Sequence, residues 1–394
     1  MRIVITGATG LLGQNLLLEY IKNYLDNLSN IEIIILGKSS GDLSLNQRIH
    51  QIILNDNFGY LEISDSRKEE LQQFVTTQIK CIESDLLKYK LGISPESIEN
   101  LSSLNINYFY HVAALTDFRD SPQVVSLLEK INVEGTQQIL ELVSCLNVEE
   151  FVYVSSAYVC GSATGNILPD YLNINETFRN PYERTKLQGE LLVRKFAKTS
   201  KIKFRYCRPS TICGRLIENP SGYTNKFDVF YQWIAFFLRQ RFNKNNKSIN
   251  YYSNSNIPLQ VCMNTTSGLN IVPVDYVAKM MYQLCIQNDD GESYHLVNSQ
   301  ETPHLLYLLS PLKRFNFEGI TVVEEIPKIK NKYETLYYKT IGKIFHGYIN
   351  SEPILFDSSN LKNVMNHNQL YCPKINEDAL QILINFAMKY NFGL

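Results

Sequence analysis

This chain of 394 residues has no apolar run long enough to cross a bilayer. Its longest aromatic and aliphatic stretch, Phe227 to Leu238, carries Asp228 and Gln232 and falls short of the ~20 apolar residues a spanning helix needs. No sign of charge dominates either. Its 38 Lys and Arg stand against 39 Asp and Glu, a net charge of -1, so no global field draws nucleic acid or an anionic membrane. The eight cysteines (81, 145, 160, 207, 213, 262, 285 and 372) form no Cys-x-x-Cys and meet no histidine at metal spacing. No structural metal is implied, and reduced thiols in a cytoplasmic protein fit best. Met1-Arg2 leads directly into an apolar strand, so a signal peptide is not expected. What remains is 44% hydrophobic and 20% charged, enough to bury a large core in two subdomains and without internal repeats.

The first positive signal is at the N-terminus. Arg2 to Thr6 (RIVIT) reads as a buried parallel strand, and Thr6-Gly7-Ala8-Thr9-Gly10-Leu11-Leu12-Gly13 follows it. Gly7 permits a tight turn, Gly10 lets the main chain approach phosphates, and Gly13 lets the next helix pack on the strand. That helix, about Leu11 to Leu25, would aim its N-terminal N–H groups at a pyrophosphate. The spacing Gly-x-x-Gly-x-x-Gly differs by one residue from the usual dinucleotide fingerprint.

Strands and helices then alternate. Glu32–Leu36, Lys80–Glu83, Tyr108–Val112, Phe151–Val154 and Phe204–Cys207 read as strands two to six, and Tyr294–Val297 as a seventh. Between them, Gln123–Leu146 reads as an amphipathic helix with Val125, Leu128, Ile131 and Val133 inward, and Val272–Leu284 as another helix. The fold expected is α/β, a doubly wound parallel sheet of Rossmann type with a smaller substrate subdomain. Residues 1–209 and 270–298 form the nucleotide-binding part. Residues 210–269 and 299–394 form the substrate-side part, the latter a mix of helix and loop, with a solvated Asn-rich loop near 243–256.

The second signal is Tyr182-Glu183-Arg184-Thr185-Lys186, with Ser156 lying 26 residues before the tyrosine at a strand end. A free tyrosine with a pKa near ~10 is a poor acid–base catalyst at neutral pH. Lys186, one helical turn on, supplies charge that lowers it and can hold the nicotinamide ribose hydroxyls. Ser156 can then hydrogen-bond the reacting oxygen beside Tyr182. Asn180-Pro181 starts the helix, and the doubly wound order brings it to the carboxyl edge of the sheet. The alternative, a solvated Tyr/Lys pair, loses to this context.

These residues carry a resemblance. The glycine turn, His111-Val112-Ala113-Ala114, Ser155-Ser156, Tyr182/Lys186, Arg208-Pro209-Ser210 and Val272-Pro273-Val274-Asp275 resemble the extended short-chain dehydrogenase/reductase superfamily. Ser84-Asp85-Leu86 with Leu91-Gly92-Ile93-Ser94, Ala113-Ala114-Leu115-Thr116-Asp117-Phe118 and Val154-Ser155-Ser156-Ala157-Tyr158-Val159 are similar to its thioester reductase and fatty acyl-CoA reductase branch, the male-sterility-like group. The long gap between strands two and three, containing Arg48, has the same layout, and the likeness covers roughly residues 1–300. It implies that Ser156, Tyr182 and Lys186 are the catalytic residues. Gly7, Thr9, Gly10, Leu11, Leu12 and Gly13 would cradle pyrophosphate, and Asp85 and Leu86 would contact adenine. Ala113 and Ala114 would line the nucleotide groove, and Pro209 and Ser210 would lie near the carboxamide. The branch's arginine after strand two is replaced by Gly37, followed by Lys38, Ser39 and Ser40, with no acidic residue at that strand end. A cation and hydroxyls without a carboxylate favour NADP(H) over NAD(H).

The leading function is therefore NADPH-dependent reduction of an acyl thioester, bound to coenzyme A or an acyl or peptidyl carrier protein, to aldehyde or alcohol. With no activation or carrier domain before strand one, the substrate is expected from a separate protein. The alternative is a nucleotide-sugar epimerase or dehydratase of the same superfamily. A non-enzymatic NADP-binding regulator would have no use for Tyr182 or Ser156. Finally, Phe227, Phe230, Ile234 and Phe237 share a helix face followed by Arg239, Arg241, Lys244 and Lys247. They read either as a core helix with cations suited to its dipole, or as an acyl-channel wall with a basic tail for an acidic carrier.

Overall fold

Seven short runs rich in Ile, Val, Phe and Tyr pair in parallel into one sheet. They are β1 (Arg2–Thr6), β2 (Glu32–Gly37), β3 (Ile79–Glu83), β4 (Asn105–His111), β5 (Asn147–Val154), β6 (Lys203–Pro209) and β7 (Ser293–Leu296). The spatial order is β7-β6-β5-β4-β1-β2-β3, all parallel, with the chain reversing direction of growth at β1 and β4. The structure, a computed structural model, describes residues 1–56, 58–243, 248–287 and 291–394. The central strands are apolar on both sides because helices cover both faces: Ile3, Val4, Ile5, Ile33, Ile34 and Ile35 are fully buried.

Five helices bear on the site: α1 (Leu11–Asn23), α2 (Pro181–Ala197), α3 (Phe230–Leu238), α4 (Val274–Ile286) and α5 (Ile341–Ile349). The doubly wound parallel sheet expected from the alternation is present, and all seven strands lie where the sequence places them, with ends shifted by a few residues. The expected 123–146 helix is instead two α-helical pieces, Pro122–Leu128 and Gly135–Val143, joined by a π-helical turn over Glu129–Glu134. The wider turn rotates the inward face. Of Val125, Leu128, Ile131 and Val133 only Leu128 is buried, and Asn132 turns inward in their place.

Residues beyond Arg208 contain more strand than their composition announces. Ser255–Cys262 pairs in parallel with Phe317–Val323, and Ile354–Phe356 pairs with Gly165–Ile167. The 299–394 stretch is thus not only helix and loop. Within it, Leu361 and Val364 pack into the same core as β1 and β2. The described residues 248–256 of the Asn-rich region are tied down: Ile249 is buried, and the Tyr251 hydroxyl donates to the Met388 carbonyl at 3.1 Å. Among the described residues no helix is long and apolar enough to cross a membrane.

Helix α3 settles one of the two readings given to it. Phe230, Ile234 and Phe237, together with Trp233, sit at 0–1% exposure among Phe317, Tyr337 and Phe345 in the second core, whereas Phe227 precedes the helix and only packs partly buried against that core. Arg241 is equally committed: its guanidinium donates to the carbonyls of Tyr251 and Phe315, both at 2.6 Å, and stacks on the Phe317 ring. It is a packing residue, not part of a basic docking tail, and Lys244 and Lys247 lie outside the described residues. Phe237→Ala should therefore lower unfolding free energy by ~3–5 kcal/mol. Urea denaturation would show this, and a loss under ~1 kcal/mol would return the side chain to a channel wall.

Candidate active site

The glycine turn owes its shape to two close approaches. Gly7 has φ +76°, and a Cβ there would stand 2.7 Å from the Ala113 nitrogen, two residues past the end of β4. Gly13 faces the Gly7 carbonyl so closely that no side chain fits. The Gly10 N–H closes the turn on the Gly7 carbonyl at 2.9 Å, and α1 begins with no side-chain cap. Its first N–H groups are left to an anion. Beneath the turn, Thr6 Oγ1 meets His111 Nδ1 at 2.8 Å and accepts from Ala113 N–H, while His111 Nε2 meets Thr136 Oγ1 at 3.2 Å. Burial, with the Lys186 charge adding to it, lowers the His111 imidazole to about 3. His111 is a neutral brace between β1 and β4.

Helix α2 starts at Asn180, whose Oδ1 accepts from the Glu183 N–H at 3.0 Å, with Pro181 at its first position. This puts Tyr182 and Lys186 one turn apart at the carboxyl edge of β5. Ser156 follows β5 and starts the tight turn Ala157–Cys160, its Oγ accepting from the Tyr158 N–H at 3.2 Å. Lys186 Nζ donates to the Val154 carbonyl at 2.7 Å and to the Tyr153 hydroxyl at 3.3 Å. Burial lowers its ammonium to about 7, with Glu190 opposing. Burial also pushes the Tyr182 phenol up to about 12, partly offset by a hydrogen bond with Thr116. Lys186 is not among the groups that move the phenol here: its ammonium is turned to Val154 and Tyr153, and desolvation sets the direction. A phenol at about 12 holds its proton at neutral pH, which suits a donor.

Two residues at this edge are ones that the sequence motifs do not single out. Asn132, turned inward by the π-helical turn, accepts from Leu115 N–H at 2.8 Å and donates to Leu115 O and Thr185 Oγ1. Glu190, buried one turn beyond Lys186, accepts from Ser155 Oγ at 2.5 Å, Arg194 Nε at 2.8 Å and Arg208 Nη2 at 2.7 Å. Only the i, i+4 spacing from Lys186 to Glu190 could have pointed to it.

One cavity of about 500 Å³ gathers most of the predicted residues. Gly7, Gly10, Leu11, Leu12, Gly13, Ala113, Ala114, Ser156, Tyr182, Lys186, Pro209 and Ser210 all line it. Its far wall comes from beyond the sheet: Val229, Leu269, Ile344, Phe345 and Tyr348. Thr9, Lys38, Ser39, Asp85 and Leu86 do not line it. Lys38, Ser39 and Asp85 meet past the ends of β2 and β3, where Lys38 Nζ stands 3.8 Å from Asp85 Oδ2 and Arg48 donates to the Lys38 carbonyl. Leu86 packs into the third core beside Gly135. A carboxylate is present here after all. Glu83, from the end of β3, accepts from the Ser39 N–H and Oγ and from the Leu45 N–H, so Ser39 is already engaged. The sequence order hid it, because parallel pairing sets Glu83 beside Gly37.

A glycine turn at β1, a candidate Ser-Tyr-Lys set at β5 and α2, and a cavity joining them are features that can be compared with known proteins. The NAD-binding family described as male sterility protein matches residues 5–281. The chain belongs to this family. Members are NAD(P)-dependent oxidoreductases of the extended short-chain dehydrogenase/reductase superfamily. This male-sterility-family chain is 21% identical over 97% of its length to a linear gramicidin synthase protein of Brevibacillus parabrevis, of which it spans 7%. It is 26% identical over 45% of its length to a probable fatty acyl-CoA reductase of Arabidopsis thaliana, of which it spans 35%. A UDP-glucose 4-epimerase of Schizosaccharomyces pombe is 33% identical over 33% of the chain, which spans 39% of that protein. Against these curated relatives, then, it spans well under half of their length. Among solved structures, the terminal R domain of the myxalamid PKS-NRPS pathway superposes with a TM-score of 0.70 at 19% identity, over 99% of this chain and 91% of that one. UDP-glucuronic acid 4-epimerase from Bacillus cereus gives 0.61 at 16%, over 99% and 97%. At such identities the likeness establishes the fold.

The depressed Lys186 ammonium has a signature in stability. Between about pH 7 and 10.5 the unfolded chain keeps a proton that the folded chain has released, so folding stability rises with pH across that window. Lys186→Met should flatten the rise, as measured by urea unfolding at about pH 7 and about pH 9. A wild-type stability that falls with pH there, unchanged in the variant, would show the ammonium is not depressed.

Proposed function

We propose that this family member reduces an acyl thioester, carried on coenzyme A or on an acyl or peptidyl carrier protein, to an aldehyde or alcohol with NADPH. The observation that carries this is the composition of the substrate-side wall. Val229, Leu269, Ile344 and Phe345, with the rings of Phe118, Tyr158 and Tyr348, offer an apolar surface next to Ser156 and Tyr182. The charged lining residues are Lys186, Lys226 and Asp228, and the last two pair with each other at 2.6 Å. A sugar linked to a nucleoside diphosphate would need cations on this wall, and none of the lining residues is an arginine. The epimerase reading keeps the support of the UDP-sugar 4-epimerases among the relatives and solved structures, and this wall adds nothing to it.

The residues present fit a nicotinamide dinucleotide: the Gly7–Gly13 turn excludes side chains from the pyrophosphate position, and the uncapped α1 start offers N–H donors. When bound, the cofactor supplies the hydride. Tyr182, kept protonated by burial, would donate its proton to the substrate oxygen. Ser156, already accepting from Tyr158 N–H, would turn its own hydroxyl proton to the same oxygen. Lys186 would hold the ribose side. Lys38 and Arg48 are the cations a 2′-phosphate would meet, and the carboxylates of Asp85 and Glu83 beside them offset that charge, so the preference for NADPH rests on displacing the Lys38–Asp85 pair. The division into a nucleotide part, 1–209 with 270–298, and a substrate part, 210–269 with 299–394, belongs to this reading, as does a cytoplasmic location. A carrier would approach over the adjoining cleft, whose lining includes Arg119, Arg184 and Lys339 along with Asp120 and Asp228, and which keeps Arg239 but not Arg241 from the anticipated tail.

Two measurements test the reading. Tyr182→Phe should leave NADPH binding intact and cut thioester-dependent NADPH oxidation by ~10²–10⁴; a near wild-type rate would remove Tyr182 from the chemistry. Lys38→Glu should weaken NADPH by about 10- to 150-fold, the worth of a charge-assisted contact of ~1.5–3 kcal/mol, and relatively favour NADH. An unchanged NADPH/NADH ratio in titrations would reopen the cofactor assignment.

A further inference from the structure

The turn that carries Tyr182 is bound to the far wall of the cavity by a cluster the proposed chemistry does not use. Asn180, the cap of α2, donates through Nδ2 to the Tyr348 hydroxyl at 2.6 Å, and that hydroxyl donates to Glu183 Oε1 at 2.7 Å. Tyr348 lies on α5, 165 residues from Glu183 in the chain. Arg179 encloses the carboxylate from the other side. Its backbone N–H donates to Glu183 Oε2 at 3.1 Å, and its guanidinium lies 3.6 Å from Oε1. The same guanidinium donates to the Gly347 and Gly161 carbonyls and lies 5.5 Å from the Tyr348 ring centre.

This cluster is costlier than a helix cap requires. Asn180 already satisfies the Glu183 N–H, yet a carboxylate at 0% and a guanidinium at 5% exposure are held beneath the cavity wall. Burying such a pair often adds no net stability over apolar packing, and what it can add is a specific arrangement. Burial raises the Glu183 carboxyl to about 7, against the pull of Arg179 and the Tyr348 hydroxyl. The arrangement it specifies is visible in the rings. Tyr348 meets Tyr158 edge-on at 5.7 Å and Phe118 at 6.0 Å, and Phe118 meets Tyr182 edge-on at 5.5 Å. Tyr348 thus reaches the surroundings of Tyr182 by two routes, through Glu183 in the backbone turn and through Phe118 at the ring.

We propose that Tyr348 and Glu183 are positioning residues for the Tyr182 proton donor, their hydrogen bond registering the cavity wall on α5 against the first turn of α2. The inference rests on the reading of Tyr182 as the donor. The Tyr348 ring belongs to the wall, but its hydroxyl, engaged by Asn180 and Glu183, fixes geometry and so acts on turnover, because a small displacement of the donor costs rate while leaving binding surfaces in place.

The test uses the full chain with Tyr348→Phe, Glu183→Gln and the double variant, assayed with an acyl-coenzyme A thioester and the free aldehyde of the same chain length. Tyr348→Phe keeps the ring and loses the hydroxyl's bond to the Glu183 carboxyl, so kcat should fall about tenfold on both substrates. KM should stay within about twofold and NADPH affinity should not change. The double variant should be no slower than the slower single variant, as expected for one shared contact. Tyr348→Leu should add a rise in KM, since the wall itself is lost. Wild-type kcat in Tyr348→Phe, a loss confined to KM, or additive losses would each overturn the proposal. Thermal unfolding of wild type, the two single variants and the double variant reads the coupling without turnover, and additive shifts in Tm would overturn it there. A wild-type chain that reduces the aldehyde and not the thioester would sink the thioester reading while the aldehyde still reports on Tyr348.

Discussion

The buried carboxylate of Glu190 holds the candidate site together. It accepts from Ser155 on the segment that follows β5, from Arg208 on β6 and from Arg194 on its own helix. Arg208 continues to the Tyr171 carbonyl and Arg194 to the Ser293 hydroxyl at the start of β7. One acidic group therefore fastens α2 to three neighbouring strands. Burial pulls its pKa upward, but the charges of Arg208 and Arg194 and the hydrogen bonds from Arg208 and Ser155 hold it below the usual carboxylate value. Such a group is tolerable only when every lone pair is met, and removal of any partner would leave charges stranded in the core. Ser156 stands next to Ser155, Pro209 and Ser210 next to Arg208, and Lys186 one turn before Glu190. The proposed reacting groups inherit their places from this junction.

Along α2 the same burial acts on groups of different charge with different results. Glu183 is raised, Tyr182 is raised and Lys186 is lowered, because each loses water from its charged form. Glu190 escapes only because two arginines reach it. The outcome is a helix face on which the phenol keeps its proton and the lysine sits close to its midpoint near neutrality. A proton-donating site and a weakly charged lysine are consequences of desolvation, and the one-turn spacing of Tyr and Lys does not by itself lower the tyrosine.

The cavity has two sides of different origin. The nucleotide-facing side is a property of the sheet: a turn after β1, the ends of β4, β5 and β6, and the start of α2. The substrate-facing side is assembled from segments widely separated in the chain, Val229 and Leu269 from one region and Ile344, Phe345 and Tyr348 from another. Strand pairing between Ser255–Cys262 and Phe317–Val323, and the aromatic packing of Trp233 on Tyr337 and Phe345, draw those segments into one body. Arg179, Glu183 and Tyr348 then join that body to α2.

The sheet, the glycine turn and the meeting of the candidates Ser156, Tyr182 and Lys186 at one sheet edge were legible in the amino-acid sequence because each rests on a local pattern. A β-branched run at the chain start, three glycines in a turn, and a tyrosine and lysine one helical turn apart are each defined by neighbours in the chain. What stayed hidden depends on distance or on geometry that spacing does not encode. The inward turn of Asn132 follows from a π-helical insertion that a regular ~3.6-residue period cannot anticipate. Glu83 beside Ser39 follows from strand register. The burial of α3 and the capture of Arg241 follow from a second core whose members come from both ends of the substrate side. The raised Tyr182 phenol and lowered Lys186 ammonium follow from desolvation, which exists only once the chain has packed around them.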